Sequence, residues 1–368
     1  MHQRFTPSRS FVLASLLLAA CTRPSPFEVR QDINRALEDN QKAKTQTEWQ
    51  NSDSNPESLF QRWKMVNTDP KVVCQVLLEK TGQDLALFEE EIKSKDNKAL
   101  VAPCRQELEA TLERYWQAEK TKLQLSSIVS FSATSFKFPN NVQTRDVSEG
   151  YKAVSGDLHP KELVLTFDDG PHPQYTSRIL EALNEVNAKA IFFAQGKNVG
   201  PNTAILRQVG QSGHAVGSHS WDHKCLPAKG ICARNNGRML SYTEAIAEIR
   251  DGHKAVLKAL GWVDPFFRFP YGESSTELKR FLIENSTGEF YWSIDSEDWK
   301  NRSPADMLSF TMNQVERQGR GIILMHDVHR KTAEALPELL KRLYFKGYSI
   351  VLLQSANPED RLHSKLAK

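Results

Sequence analysis

Residues 163–172 read LVLTFDDGPH, an apolar run that passes directly into two carboxylates and a turn. The apolar and β-branched residues favour an extended strand, and Gly170 lets the chain turn tightly after it. Further short apolar runs follow downstream: KAIFFAQ (189–195), GHAVGSHS (213–220), PFFRFPY (265–271), FYWSID (290–295), GIILMHD (321–327) and YSIVLL (348–353). Helical stretches such as 177–187 and 242–261 separate them. Because strands that alternate with helices form parallel sheets, about seven such repeats predict an α/β fold of the (β/α) barrel type.

Most of these strands end in ionisable residues. The end positions are Asp168, Asp169, His219, Asp295, His326 and Asp327, and Arg268 lies inside a further strand. A charge at a buried strand end is costly unless it is paired or used. In (β/α) barrels the working residues gather at the carboxyl ends of the strands. The pattern therefore predicts an enzyme.

Two of these strand ends carry residue types that commonly bind metal ions. His219 and His223 form an H-x3-H pair in HSWDH, and Asp168 and Asp169 are adjacent carboxylates. Either group alone is a weak signal, since both arise by chance. Together they supply two imidazoles, one carboxylate ligand and a spare carboxylate that acts on water, which are the parts of a catalytic zinc site.

Five segments in order resemble the motifs of the polysaccharide deacetylases, carbohydrate esterase family 4 with the NodB-homology domain. They are TFDDGP (166–171), HSWDH (219–223), RFPY (268–271), DSEDW (295–299) and LMH (324–326). The resemblance covers roughly residues 160–355 and implies a distorted (β/α) barrel of the NodB-homology type. It does not extend to residues 21–150.

The resemblance implies a role for each matching position. Asp169, His219 and His223 would hold a divalent metal, with zinc expected and cobalt, nickel or manganese also compatible. Asp168 would be the general base that takes a proton from the attacking water. Arg268 would pair with Asp168 and keep it ionised.

The remaining motif residues would complete the reaction. His326 would be the general acid that protonates the leaving amine, with its pKa raised by Asp298. The backbone N–H of Tyr271 would stabilise the oxyanion. Trp299 and Leu324 would form an apolar pocket for the acetyl methyl group.

Other polar residues of the barrel receive less specific predictions. Asp295 is expected to give structural support, and Ser220 to form a turn rather than act as a nucleophile. Four histidines are expected to be capping or solvated residues: His172, His214, His253 and His329.

The N-terminus has the pattern of an export signal. Arg4 and Arg9 precede the apolar run 11–20, and small residues lead to Cys21. A basic start with about ten apolar residues predicts a secretory signal over residues 1–20. The segment resembles a bacterial lipobox, which implies a lipid-anchored Cys21 at the cell envelope. The alternative is an ordinary cleavage site beside a bystander cysteine.

Four of the five cysteines remain after Cys21. Export permits disulfides, and four thiols allow three connectivities. The local pairing Cys74–Cys104 and Cys225–Cys232 is the simplest. Zinc binding by the four thiols is the competing interpretation, although no CxxC pair is present.

The pattern of apolar and polar residues changes along the sequence and predicts how the chain divides into domains. Residues 21–125 predict an all-α domain that acts as a spacer, a dimerisation element or a wall-binding element, and the sequence does not choose between these. Residues 126–159 predict a linker with an edge strand, residues 160–357 the deacetylase barrel, and residues 358–368 a C-terminal tail. The oligomeric state is not indicated.

The stretch 224–240 is longer than the connector that the family pattern has after the second histidine. It carries four Lys/Arg residues, no acid, and both Cys225 and Cys232. We interpret it as a disulfide-pinned loop at the rim of the cleft that shapes substrate access. The alternative is a surface loop without a role in binding.

Composition and motifs together indicate the function class. The 368 residues contain 48 Lys+Arg and 45 Asp+Glu, a formal net charge of +3 that disfavours a nucleic-acid protein. No apolar run reaches the roughly 20 residues that span a bilayer. We expect a metal-dependent deacetylase of N-acetylglucosamine in a polysaccharide, with peptidoglycan as the first substrate. The alternatives are chitin or poly-N-acetylglucosamine as substrate, an O-acetyl esterase, and a glycan-binding protein without activity.

Overall fold

The computed structural model describes residues 23–50, 52–128, 135–227, 232 and 240–367. The predicted signal 1–20 and the predicted lipidation site Cys21 lie outside the described residues. Two compact units are present, one formed by residues 23–43 and 52–117, the other by 44–50 and the described residues from 118 onward. No described helix has both the length and the apolar content needed to cross a membrane.

The first unit consists of helices with well-defined starts. Its helices are Pro26–Lys42, Pro56–Met65, Pro70–Leu78, Gly82–Ala86, Glu89–Lys93, Lys98–Val101 and the first half of Arg105–Ile128. Three of them begin with proline, whose missing N–H is not needed in the first turn. Ser25 and Glu28 form a reciprocal capping box at the first start. The all-α prediction for this region is thus confirmed.

A disulfide crosslinks this unit. Cys74 on helix Pro70–Leu78 is bonded to Cys104, which directly precedes helix Arg105–Ile128. Both cysteines are buried. The predicted pairing Cys74–Cys104 is confirmed, and so is Cys225–Cys232 in the second unit.

The second unit alternates strands with helices. Its strands are β1 (Val142–Arg145), β2 (Lys152–Ala153), β3 (Glu162–Asp168), β4 (Ala190–Ala194), β5 (Ala215–Ser218), β6 (Phe266–Phe267), β7 (Gly288–Phe290), β8 (Ile294–Asp295), β9 (Gly321–His326), β10 (Ser349–Ile350) and β11 (Leu352–Ser355). Its helices are Gln46–Gln50, the second half of Arg105–Ile128, Tyr175–Glu185, Gly196–Val199, Thr203–Gln211, Tyr242–Leu260, Thr276–Glu284, Pro304–Gln318 and Arg330–Phe345. Three short 3-10 turns occupy Pro270–Gly272, Pro358–Arg361 and Lys365–Ala367.

The region predicted as a linker with an edge strand, residues 126–159, begins as a helix. Helix Arg105–Ile128 continues through residues 126–128, so these residues are helical rather than extended. The edge strands come later. Among the described strands, β1 pairs only with β11, and β2 lies at one end of the main strand order.

All strand pairs of the main sheet are parallel. The order is β2-β7-β6-β5-β4-β3-β9-β8, with β10 pairing β3. The faces of this sheet are apolar; β3 and β9, for example, are buried almost throughout. This confirms the α/β class and the parallel sheet predicted from the sequence.

The connection between β7 and β8 requires the sheet to curl. Six strand spacings separate these two strands in the order, which in a flat sheet is about 29 Å. Residues 291–293 alone join them, and such a link spans at most about 14 Å. The sheet must therefore bend round as in a distorted barrel, although no pairing of β8 with β2 closes it in the described chain. The prediction of one strand for FYWSID (290–295) was wrong, because this segment leaves one strand and enters another.

Candidate active site

Three ligand-type side chains meet where β3 and β5 end. Asp169 follows β3, and His219 and His223 follow β5. The Oδ1 atom of Asp169 lies 3.6 Å from Nε2 of His219 and 3.5 Å from Nε2 of His223. The parallel neighbours β3, β4 and β5 bring these loops to one edge of the sheet.

His219 is oriented by a backbone contact. Its Nδ1 lies 2.7 Å from the carbonyl oxygen of Arg268. Since a carbonyl only accepts, Nδ1 carries the proton and Nε2 keeps its lone pair. Burial lowers the pKa of His219 to about 3, so the ring is neutral at pH 7. A neutral imidazole with a free Nε2 is the form that binds metal ions.

The three side chains fit a divalent cation. Asp169 Oδ1 is buried and has no hydrogen-bond partner among the described residues. Such an acceptor is costly unless a cation or a water molecule satisfies it. Two ligands about 2.1 Å from one ion lie about 3.4 Å apart in tetrahedral geometry and about 3.0 Å apart in octahedral geometry. The two separations from Asp169 are close to the tetrahedral value.

Asp168 lies beside this triad and is bound by a buried arginine. Its Oδ1 accepts a hydrogen bond of 2.6 Å from Arg268, and its Oδ2 lies 3.7 Å from Nε2 of His219. Burial raises the pKa of Asp168 to about 6, although the Arg268 charge opposes the shift. The carboxylate is therefore ionised at neutral pH, and its pKa is close enough to that pH for it to accept a proton during a reaction.

Arg268 is fully buried and fixed from several sides. It also donates to Thr166 Oγ1 at 2.8 Å and to the carbonyl of Tyr291 at 3.1 Å. Its guanidinium stacks over the ring of Phe193. A buried cation with these contacts holds Asp168 in one orientation.

A second acid–base pair lies at the end of β9. Nδ1 of His326 is 2.7 Å from Oδ1 of Asp298, whose Oδ2 accepts from the His326 N–H and the Thr332 hydroxyl. His329 completes a second group of possible metal donors with these two residues. In that group, however, His326 and Asp298 are hydrogen-bonded to each other. Their donor atoms therefore leave no shared position for a cation, whereas those of Asp169, His219 and His223 do. β3 and β9 pair directly, with Asp168 opposite His326 in register.

The backbone is unusual at these motifs. Ten described non-glycine residues have a positive φ, and five of them lie in the motif segments: Asp169, Ser220, His223, Tyr271 and Glu297. The left-handed region costs such residues of the order of 1 kcal/mol each. Half of these positive φ angles therefore lie in segments that carry the residues of the cluster.

The Cys225–Cys232 disulfide packs beside this site. Tyr271 contacts the disulfide, and its ring packs edge-on against His223 with the ring centres 4.5 Å apart. The Cys232 N–H also donates to Glu273. Residues 228–231 and 233–239 of the predicted rim loop lie outside the described residues, so its effect on access stays a prediction.

The other predicted pocket residues are buried at the same end of the sheet. Trp299 is 5% exposed and Leu324 is 2% exposed. Asp295 accepts a hydrogen bond from the Glu297 N–H, and burial raises its pKa to about 6. These contacts agree with supporting positions around Asp298 and His326.

The sequence analysis missed the role of Asp327 and misjudged two histidines. Asp327 is buried and accepts from Gly170 N–H at 2.9 Å and from the Thr176 hydroxyl, so it holds the turn after Asp169. Its position next to His326 at a strand end was the available signal. His214 and His253 are buried rather than solvated. Nδ1 of His214 accepts from the Ala190 N–H at 3.1 Å, and Nδ1 of His253 lies 3.5 Å from the Ser218 hydroxyl. His172 does cap, accepting from the N–H groups of residues 174 and 175.

Comparisons with known proteins agree with this geometry. The sequence profile of the polysaccharide deacetylase family matches residues 155–286. The chain is 34% identical over 200 residues to a peptidoglycan-N-acetylmuramic acid deacetylase of Bacillus subtilis, covering 54% of this chain and 39% of that protein. It is 33% identical over 237 residues to a peptidoglycan-N-acetylglucosamine deacetylase of Listeria monocytogenes, covering 64% and 46%. The chain thus spans less than half the length of these two relatives.

One solved structure is similar along almost the whole chain. It is a peptidoglycan deacetylase of Bdellovibrio bacteriovorus, 44% identical, with a TM-score of 0.80. The match covers 93% of this chain and 99% of that one, so it includes the helical first unit as well as the sheet.

Proposed function

Because the chain belongs to the polysaccharide deacetylase family, we propose that it hydrolyses the N-acetyl group of N-acetylglucosamine residues in peptidoglycan and releases acetate. The observation that carries the proposal is one cluster at one sheet edge. It comprises an Asp169–His219–His223 donor set, an arginine-bound carboxylate at Asp168, and an Asp298–His326 pair on the adjoining strand. This set contains a cation site, a base and an acid, which amide hydrolysis needs together.

We propose zinc as the cation, held by Asp169, His219 and His223. The near-tetrahedral separations from Asp169 and the His2Asp donor set support zinc. Cobalt, nickel or manganese could use the same donors. A bound divalent cation would polarise the acetyl carbonyl and lower the pKa of a water molecule.

The side chains would divide the proton transfers. Asp168 Oδ2 would accept a proton from the attacking water, while Arg268 holds its other oxygen. His326, kept protonated by Asp298, would donate a proton to the leaving nitrogen, since an amine leaves poorly as an anion. Tyr271 would offer its backbone N–H to the oxyanion, and Trp299 with Leu324 would receive the acetyl methyl group.

The substrate proposal rests on the relatives. The proteins from Listeria, Bacillus and Bdellovibrio are named as peptidoglycan deacetylases. The Bacillus protein is named for N-acetylmuramic acid and the Listeria protein for N-acetylglucosamine. We choose N-acetylglucosamine because it lacks the bulky lactyl substituent next to the acetamide. Two disulfides agree with an exported protein. We propose that Cys21 carries the lipid that anchors it at the envelope.

The deciding experiment compares substrates under one assay. Metal-loaded protein is incubated with peptidoglycan strands, chitin oligomers and acetylated xylan, and acetate is measured together with the sugar masses. We expect acetate from peptidoglycan with the loss of one C2H2O unit per N-acetylglucosamine and a new free amine. Acetate from xylan alone would indicate an esterase, and binding without acetate release would indicate a glycan-binding protein. The position of the free amine also separates N-acetylglucosamine from N-acetylmuramic acid.

A further inference from the structure

A groove of about 730 Å³ lies outside the sheet, separate from the residues of the acid–base cluster. Its walls are helix Gly196–Val199 with the start of Thr203–Gln211 on one side and helix Tyr242–Leu260 on the other. Trp221 also lines it. We call this feature the Trp221 groove.

The Trp221 groove is attached to the loop of the two histidines. Trp221 lies between His219 and His223 in sequence, and its carbonyl accepts from the Lys197 N–H at 2.9 Å. Gly196 donates in the same way to Ser220 at 2.9 Å. The groove therefore adjoins the loop that supplies two of the three proposed ligands.

The indole of Trp221 packs against Gly196 and is partly exposed to solvent. A Cβ atom at position 196 would lie 2.8 Å from Cε3 of Trp221, so Gly196 makes room for the ring. The residue nevertheless remains 40% exposed. An exposed indole offers a rigid apolar surface for aliphatic or sugar groups at little entropic cost.

The charge of the lining is strongly one-sided. Lys197, Arg207, Lys254 and Lys258 face a single acid, Asp251. Lys197 is bound to Asp222 outside the lining, and Arg207 donates to a backbone carbonyl. Lys254 and Lys258 lie one turn apart and are exposed, and within the described chain neither has a hydrogen bond or an ion pair. This end of the groove suits a ligand with carboxylates.

The length of the groove matches a short peptide. Its lining on the long helix runs from Asp251 to Ala259, about 12 Å at 1.5 Å per residue. An extended peptide of about four residues has nearly the same length. Peptidoglycan carries short acidic peptides on alternate sugars, whereas chitin carries none.

We propose that the Trp221 groove binds the acidic peptide on the sugar next to the one that is deacetylated. The apolar part of the peptide packs on Trp221, and its carboxylates pair with Lys254 and Lys258. The inference rests on the proposed function, because it assumes a peptidoglycan strand at the cation site. It makes the chain selective for peptide-bearing strands through KM rather than kcat.

The test uses a charge-reversed groove and two forms of one substrate. Lys254→Glu/Lys258→Glu is compared with the parent on peptidoglycan strands with their peptides and on the same strands after an amidase has removed them. We expect KM for the peptide-bearing strands to rise about tenfold, equivalent to about 1.4 kcal/mol, with kcat unchanged. KM for the peptide-free strands should stay the same. Lys137→Glu is the matched control, because Lys137 is exposed and does not line the groove. The next residue, Phe138, donates a hydrogen bond to the Val186 carbonyl, which directly follows helix Tyr175–Glu185.

A binding measurement separates this inference from the proposed activity. A soluble disaccharide-peptide is titrated calorimetrically into the full metal-loaded parent and the double variant, with the peptide-free disaccharide as reference. Weaker binding of the peptide form alone, by about fivefold or more, supports the groove even if no acetate is released. Equal binding by both proteins overturns it. Displacement of the disaccharide-peptide by equimolar inorganic phosphate overturns it too, because the groove would then be a general anion site.

Discussion

Nδ1 of His326 lies 2.7 Å from Oδ1 of Asp298, and both side chains are buried at the end of the sheet that carries the donor triad. Burial alone would lower the pKa of His326, but the charge and the hydrogen bond of Asp298 outweigh it and raise that pKa to about 10. The same contact holds the pKa of Asp298 well below its usual range. At neutral pH the pair is therefore an imidazolium bound to a carboxylate. His326 lies opposite Asp168, the proposed base, on the paired strands β9 and β3.

The first prediction concerns the pH range of activity. Asp168 must lose a proton, with a pKa of about 6, and His326 must keep one, with a pKa of about 10. Acetate release should therefore rise as the pH passes 6 and fall as it approaches 10. In Asp298→Asn the carboxylate charge is gone and burial dominates, so the alkaline decline should move below pH 7. A profile of kcat/KM from pH 5 to 11 measures both limits.

Thr332→Val provides the control for that profile. It removes one hydrogen bond to Asp298 and keeps the charge, so the alkaline limit should shift by less than about one pH unit. If Asp298→Asn keeps the parent's alkaline limit, His326 is not the proton donor.

The second prediction concerns Asp168→Asn. The amide cannot accept the proton from water, so acetate release should fall by about 10²- to 10⁴-fold. Asp169, His219 and His223 are unchanged, and metal content measured by atomic absorption should remain near one ion per chain. Asp157→Asn, at an exposed position outside both the cluster and the Trp221 groove, should leave the rate unchanged. Retention of the parent rate by Asp168→Asn would remove Asp168 as the base.

Much of the sheet and the cluster could be predicted from the sequence. Asp168, His219 and His326 stand at ends of apolar runs, and parallel strands bring such ends to one edge. The pairing of four cysteines followed from proximity along the chain. These features depend on local sequence and on the rule that parallel strands end at the same edge of a sheet.

The rest depends on contacts that are distant in sequence. FYWSID is continuously strand-like, yet it leaves β7 and enters β8, because the curled sheet brings these two strands near each other. Asp327 binds Gly170 across 157 residues, a contact that no local pattern indicates. The burial of His253, by contrast, could have been predicted, because His253 shares one helix face with the buried Ile249 and Val256. The positive φ angle at Tyr271 likewise has no signal in its residue type.

The third prediction concerns metal removal. Dialysis against a chelator should abolish acetate release, and added zinc should restore it. Zinc at a hundredfold excess over its dissociation constant should stabilise the fold by about 2.7 kcal/mol, visible as a higher Tm. His219→Ala should lose this rise in Tm, whereas the exposed His363→Ala should keep it. An equal rise in His219→Ala would place the bound zinc elsewhere.

The fourth prediction compares the two disulfides. Cys225→Ser/Cys232→Ser removes the link that packs on Tyr271, whose ring supports His223, so zinc affinity should fall about tenfold or more, as when a ligand's supporting contact is lost. Cys74→Ser/Cys104→Ser should lower the free energy of unfolding by about 2–4 kcal/mol and leave zinc affinity unchanged. Calorimetric zinc titration and denaturant unfolding of both variants measure the contrast. Equal zinc affinity in all three proteins would show that Tyr271 needs no support from this disulfide.

The fifth prediction concerns the turn that presents Asp169. A Cβ atom on Gly170 would lie 2.0 Å from Oδ2 of Asp327, while the Gly170 N–H donates to the other carboxylate oxygen at 2.9 Å. Gly170→Ala must therefore push the buried carboxylate away from the turn and break this hydrogen bond. We expect a loss of about 2–4 kcal/mol in the free energy of unfolding, together with weaker zinc binding, because Asp169 precedes the displaced residue. Gly200→Ala is the control, since its Cβ would meet nothing within 4 Å. Adding Asp327→Ala to Gly170→Ala removes the clash and should restore part of the zinc affinity; no recovery would mean that the carboxylate itself holds the turn.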